Sequence, residues 1–160
     1  MVNPRRIRFR VGLSDLYIPL YDRLCFILPQ EWQPYSGMRD FRSQDELFAK
    51  GRTDEPIGKA FEVTGARGGE SPHNYGCASD WTIFQDGKPL WMHKDDSRWQ
   101  TYFDAIEKAG LLSGAGWGDV DHNELRIVRN WKEVHLAYLA GGMSAAALKI
   151  KASLFKGGIS

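Results

Sequence analysis

Hydrophobic positions along this chain fall into short blocks of differing period, punctuated by glycine, proline and asparagine. Leu16, Leu20, Leu24 and Ile27-Leu28 recur at helical spacing, and Pro29 ends the run. Ser14 or a first-turn Pro19 marks its start. Ser43 to Lys50 predicts a short helix, because Ser43 and Glu46 have capping-box spacing and Gly51 follows as a stop. Ser97 to Ala109 predicts an amphipathic helix with Trp99, Phe103 and Ile106 inward and Gly110 past its end. Asn130 and Glu133 predict a further capped helix carrying Trp131, Val134, Tyr138 and Leu139. Gly141-Gly142 breaks it, and Ser144 to Phe155 resumes as a helix.

Between these blocks the period shortens. Cys77 to Phe84 is rich in small and β-favouring residues and predicts a strand. Asp86-Gly87 is a hairpin turn signal, and Lys88 to Trp91 predicts the returning strand. From His122 the residues alternate, with Asn123, Leu125 and Ile127 on one side and His122, Glu124 and Arg126 on the other. That predicts a half-buried strand. The glycines at 114, 116 and 118 argue against a helix before it. Residues 2 to 12 alternate arginine with Ile7, Phe9 and Val11, which reads as an edge strand or a basic arm. Residues 51 to 70 read as loop, broken by a short strand near Phe61 to Thr64.

The elements add up to one α+β fold, a small, mainly antiparallel sheet flanked by helices. At 160 residues the chain is long enough to bury a core without staples. Lys and Arg number 21 against 20 Asp and Glu, so charge alone gives no reason to expect a nucleic-acid partner. Two cysteines without a C-x-x-C argue against a disulfide framework and fit a reducing compartment. No apolar run follows the basic N-terminus, and none is long enough to span a bilayer, so neither a secretory signal nor a membrane span is expected. Gly65 to Glu70 is glycine-rich but lacks G-K-[ST], so it reads as the rim of a groove rather than a phosphate loop.

Candidate chemistry sits in Ser71-Pro72-His73-Asn74-Tyr75-Gly76-Cys77-Ala78-Ser79-Asp80. A straight strand would point His73 and Asp80 to opposite faces. The intervening Asn74-Tyr75-Gly76 turn lets them converge. Imidazole and carboxylate both suit a divalent metal such as zinc. His122 is the third donor. Two histidines and one carboxylate leave a fourth position for water, the pattern of a catalytic zinc site. Asp119 and Asp121 are nearby carboxylates able to take and return a proton. His93, among Lys94, Asp95 and Asp96, reads as exposed, and His135 as a packing or surface residue.

The pattern S-x-H-x-x-G-x-A-x-D, followed by an acid-x-x-His, resembles the VanY-type D-Ala-D-Ala carboxypeptidase and L-Ala-D-Glu peptidase family of zinc peptidases, to which many phage endolysins belong. A second block agrees. Gly37-Met38-Arg39-Asp40-Phe41-Arg42-Ser43-Gln44, running on to Leu47-Phe48-Ala49-Lys50-Gly51-Arg52-Thr53, resembles that family's G-x-R-S-x-x-x-Q-x-x-L-(Y/F)-x-x-G-R-T. The resemblance spans about residues 35 to 128.

It implies a hedgehog/DD-peptidase-like fold with a zinc site at one sheet edge. His73, Asp80 and His122 would hold Zn2+. Asp119 would be the general base, with Asp121 as the alternative, Arg39 would stabilise charge on the reacting amide, and Ser71 would help hold the substrate. The implied substrate is the peptidoglycan stem peptide, cut at L-Ala-D-Glu or else at D-Ala-D-Ala. A zinc-dependent wall-binding module without catalysis is the reading from another class. Residues 1–130 would form the catalytic domain of a monomer, with 131–160 a helical extension packed on it. The expected place of action is the cell wall, reached from the host cytoplasm with the help of a separate pore-forming protein. Lys149, Lys151 and Lys156 give the tail a basic face that could lie on an anionic wall polymer, though packing against the domain is the simpler expectation.

Overall fold

The computed structural model describes residues 3–50, 52, 63–127 and 130–154. The chain sorts into two compact units, residues 1–38 with 76–126, and residues 39–75 with 127–160.

The first unit carries the sheet. Its strands are β1 (Trp32–Ser36), β2 (Ala78–Gln85), β3 (Lys88–Leu90), β4 (Leu112–Ser113) and β5 (His122–Glu124). They run in the order β1-β2-β5-β4, with β3 paired to the far end of β2, and every pairing is antiparallel. Pro34 interrupts the register of β1, which borders only β2. An edge position tolerates a residue without an N–H. Asp86 (φ 51°) and Gly87 (φ 77°) make the tight turn between β2 and β3 that their sequence predicts.

Helices α1 (Pro4–Arg10), α2 (Ile18–Ile27) and α4 (Trp99–Ala109) flank this sheet. Pro19 lies in the first turn of α2, and Gly110 ends α4 in the left-handed conformation. The core between them is aromatic. Trp32 stacks on Tyr102 at 5.2 Å, Tyr21 packs on Trp81 at 5.6 Å, and Leu24, Ile106 and Leu111 fill the gaps. Tyr102 is fully buried, whereas Phe103, expected inward, is only half-buried.

Residues 2 to 12 depart from expectation, since α1 stands where an edge strand or arm was predicted. Asn3 accepts a hydrogen bond from the Arg5 amide, and Pro4 pre-sets the first turn. Arg6 is buried and donates to the carbonyls of Cys25, Leu28, Pro29 and Trp32. These bonds tie α1 to the segment that runs from the end of α2 into β1. Burial lowers its pKa from the usual arginine value without removing those bonds.

The second unit holds α3 (Phe41–Ala49), a 3-10 turn at Pro72–Tyr75, and α5 (Trp131–Ser153). Asp40, not Ser43, caps α3, accepting from the Ser43 amide at 2.7 Å, so the helix begins two residues earlier than the capping-box spacing predicts. The predicted stop at Gly51 lies outside the described residues, as do Phe61 and Glu62 of the predicted strand. Val63 and Thr64 are not in a strand. Asn130 caps α5 as expected, and the helix is broken at Gly141 and Gly142. Trp131 and Val134 are buried, Tyr138 half-buried and Leu139 exposed. Tyr75 stacks on Trp131 at 6.0 Å, and Phe41 meets Tyr138 edge-on at 4.8 Å. No described helix is long and apolar enough to cross a membrane.

Candidate metal centre

Antiparallel pairing of β2 with β5 sets Asp80 directly opposite His122. The Asp80 carboxylate meets His122 Nδ1 at 3.0 Å. On its other side His122 Nε2 meets the Glu124 carboxylate, also at 3.0 Å. Glu124 lies on the same side of β5 as His122, as the alternation predicts. All three residues of β5 are buried, so the strand is covered on both faces rather than one. Burial pushes the His122 imidazole toward neutrality, but its hydrogen bonds to Asp80 and Glu124 outweigh that and raise its pKa to about 10. A metal ion bound here has to displace the proton on the nitrogen that faces it.

The strand is held in register by a buried polar network. Asn123 Nδ2 donates to the Ser79 carbonyl at 2.9 Å and to the Tyr102 hydroxyl at 2.7 Å. Tyr17 donates to Asn123 Oδ1 and shares a 2.7 Å hydrogen bond with Ser79 Oγ. Tyr102 in turn donates to the Asp121 carbonyl at 2.8 Å. Every polar atom of the Asn123 side chain thus has a partner beneath the site.

His73 is buried in the 3-10 turn, and side chains of Ser71 and Asn74 hold the backbone in and before it. Ser71 Oγ accepts from the His73 amide at 3.4 Å, and Asn74 Oδ1 accepts from the amides of Gly69 (2.8 Å) and Ser71 (3.3 Å). Gly76 follows at φ 64°, and a Cβ there would stand 2.6 Å from the Gly12 carbonyl oxygen, so only glycine fits the step into β2. Among the described residues, His73, Asp80 and His122 are the side chains of a candidate metal-holding group. Two imidazoles and a carboxylate are a donor set that zinc accepts.

Asp119 is exposed in the turn that delivers β5, three residues before His122, and Asp121 is half-buried. Burial raises the Asp121 carboxyl above the ordinary aspartate value. The turn before them contains a single 3-10 turn, Gly114–Trp117, where the glycines argued against helix. Ser113 caps it, and Gly114 packs so tightly that a Cβ there would stand 2.4 Å from the Asp119 carbonyl oxygen and 2.9 Å from His122 Cβ. Trp117, 56% exposed, lies 6.1 Å from the His122 ring.

Arg39 is tied to the His73 turn through its backbone. Its amide donates to the His73 carbonyl at 3.1 Å, and Asn74 Nδ2 donates to the Arg39 carbonyl at 2.9 Å. Its guanidinium donates to Gln44 Oε1 at 2.7 Å, and Gln44, fully buried, donates onward to the Ala66 carbonyl at 2.8 Å. The glutamine of the upstream sequence block thus orients the arginine of the same block. Among the other histidines, His93 is exposed and pairs with Asp95 at 3.2 Å. His135 is half-buried against Phe41 and Tyr138.

No family model matches the chain. It is 36% identical over 102 residues to the Bacillus subtilis peptidoglycan L-alanyl-D-glutamate endopeptidase CwlK, an alignment covering 59% of this chain and 59% of that protein. It shares its fold with the crystal structure of the Serratia marcescens L-Ala D-Glu endopeptidase ChiX at a TM-score of 0.51 and 17% identity. That superposition covers 78% of this chain and 88% of the other. Over its aligned residues the chain is thus similar in sequence to one L-alanyl-D-glutamate endopeptidase, spanning about three fifths of that protein's length, and it shares the fold of another.

Proposed function

We propose that this protein is a zinc-dependent peptidase that hydrolyses an amide bond in the peptidoglycan stem peptide, with L-Ala-D-Glu as the bond cut. The observation that carries the reading is the paired Asp80 and His122, which with His73 make up a zinc-type donor set, in a chain similar to an L-alanyl-D-glutamate endopeptidase. Zinc held by these residues would polarise the scissile carbonyl and lower the pKa of a bound water to about 7. Asp119, exposed at the lip of β5, takes the water's proton and returns it to the leaving amine. Arg39, oriented by Gln44, offsets the negative charge that develops on the carbonyl oxygen. The Ser71 hydroxyl, which accepts from the His73 amide, would donate its own hydrogen to the substrate peptide. Catalysis belongs to residues 1–130 in this reading, with 131–160 as an extension. A lysis enzyme of phage type, released from the host cytoplasm to the wall by a separate pore-forming protein, is the corresponding biological role.

The test is mass spectrometry of purified peptidoglycan after incubation with the protein, a chelator, and the chelated protein resupplied with zinc. The reading expects new amino-terminal D-Glu that disappears with chelator and returns with zinc. Release of free D-Ala would assign a D-Ala-D-Ala carboxypeptidase instead. Zinc-loaded protein that binds wall without cutting it would assign a binding module.

A further inference from the structure

We infer that Glu124 is a positioning residue for the metal centre, fixing which nitrogen of His122 faces the ion. The inference rests on the zinc-site reading above. His122 has two ring nitrogens and a carboxylate on each, Asp80 on Nδ1 and Glu124 on Nε2, both at 3.0 Å. The two carboxylates are not equivalent. Asp80 belongs to the candidate metal-holding group, and Glu124 does not. Nδ1 is therefore the nitrogen beside a candidate ligand, and Nε2 the one beside a carboxylate outside that group. A ligating imidazole must be neutral, with one nitrogen on the ion and the proton on the other. Glu124, 8% exposed and two residues along the same short strand, is placed to accept that proton's hydrogen bond. A carboxylate behind the ring holds the tautomer, aims Nδ1 and makes the imidazole a better donor. The strand supplies the rigidity, because Glu124 pairs with Ala78 on one side and Leu112 on the other.

Two measurements on the full chain test this, neither of them an activity assay. The first is a long-range proton–nitrogen correlation spectrum of the zinc-loaded wild type. It should show the His122 imidazole protonated on Nε2 and metal-shifted on Nδ1. The second is zinc affinity by competition with a chromophoric chelator, with thermal melting of the metal-free proteins as a check on folding. Glu124→Ala should lose about 10- to 100-fold in affinity, and Glu124→Gln, whose amide oxygen can accept the same hydrogen bond, should recover much of that loss. Nε2 on the metal, or a folded Glu124→Ala that binds zinc as tightly as wild type, would overturn the inference. The wild-type spectrum decides even if Glu124→Ala does not fold. Zinc binding with the expected tautomer but no peptidoglycan cleavage would sink the proposed activity and leave the role of Glu124 standing.

Discussion

At the scale of residues, the side chains of the proposed chemistry have sharply different surroundings. Asp119 is exposed, while His73 and His122 are buried. A base that is not a ligand can be removed without removing the metal. Asp119→Ala should therefore keep zinc affinity near wild type and lower kcat by roughly 10²- to 10⁴-fold. Calorimetric zinc titration and a wall-digestion assay would check the two halves, and retained hydrolysis would shift the role to Asp121. Asn123 has a different job. Replacing it by Ala takes one hydrogen-bond partner from each of the Tyr17 and Tyr102 hydroxyls, both fully buried, leaving them Ser79 Oγ and the Asp121 carbonyl. The expected cost is about 1–3 kcal/mol of stability in urea unfolding. The three candidate donors were proposed from sequence because residue type, the intervening turn and block order all agreed. Glu124 was visible on the His122 face, but nothing in the sequence said that its carboxylate reaches the ring. Gln44 was visible as part of a block, while its bond to Arg39 depends on how α3 folds back.

At the scale of elements, the junction between the His73 turn and β2 matters most. Gly76 has a left-handed backbone and lies against the backbone of Gly12, Leu13 and Ser14. Gly76→Ala carries about 1–2 kcal/mol of conformational strain before any clash is counted. Because the neighbours are backbone atoms, they cannot swing away. The variant should lose more than about 2 kcal/mol in denaturant unfolding, and its zinc affinity should fall with it. A variant as stable as wild type would mean that the turn relaxes freely. Periodicity found α2, α3, α4, α5 and the β2–β3 hairpin, and failed at α1. The alternating arginines suggested a strand, yet the Asn3-Pro4 pair is a helix-start signal present in the same sequence. What tips the choice is Arg6, whose partners lie 19 to 26 residues away. Tertiary bonds of that span leave no trace in local pattern.

For the whole molecule, a buried Cys77 and a half-buried Cys25 contribute to the response to alkaline pH. Burial pushes the Cys77 thiol up to about 12 and the Cys25 thiol to about 11. A thiol whose pKa is higher folded than unfolded favours the folded state below the unfolded value, near 9, and loses that contribution as pH rises through the folded one. Stability should therefore decline from about pH 9 toward pH 12, as read by urea midpoints across that range. In the same proteins Cys77 should resist a thiol reagent at pH 8 until denaturant is added. Rapid labelling of native Cys77 would contradict the packing described here. The antiparallel sheet and its helices were legible as a class. The exchange of segments that puts residues 39–75 with 127–160 was not, because clustering of distant segments follows from packing rather than from period.

The central claim is that His73, Asp80 and His122 hold one catalytic zinc ion. Crystals of the zinc-loaded protein, with diffraction recorded on either side of the zinc absorption edge, test it most directly. The account predicts one anomalous peak per chain, within ~2.0–2.2 Å of an atom from each of the three residues, with Nδ1 as the His122 ligand. A peak elsewhere, or none among these three side chains in fully zinc-loaded protein, would contradict it.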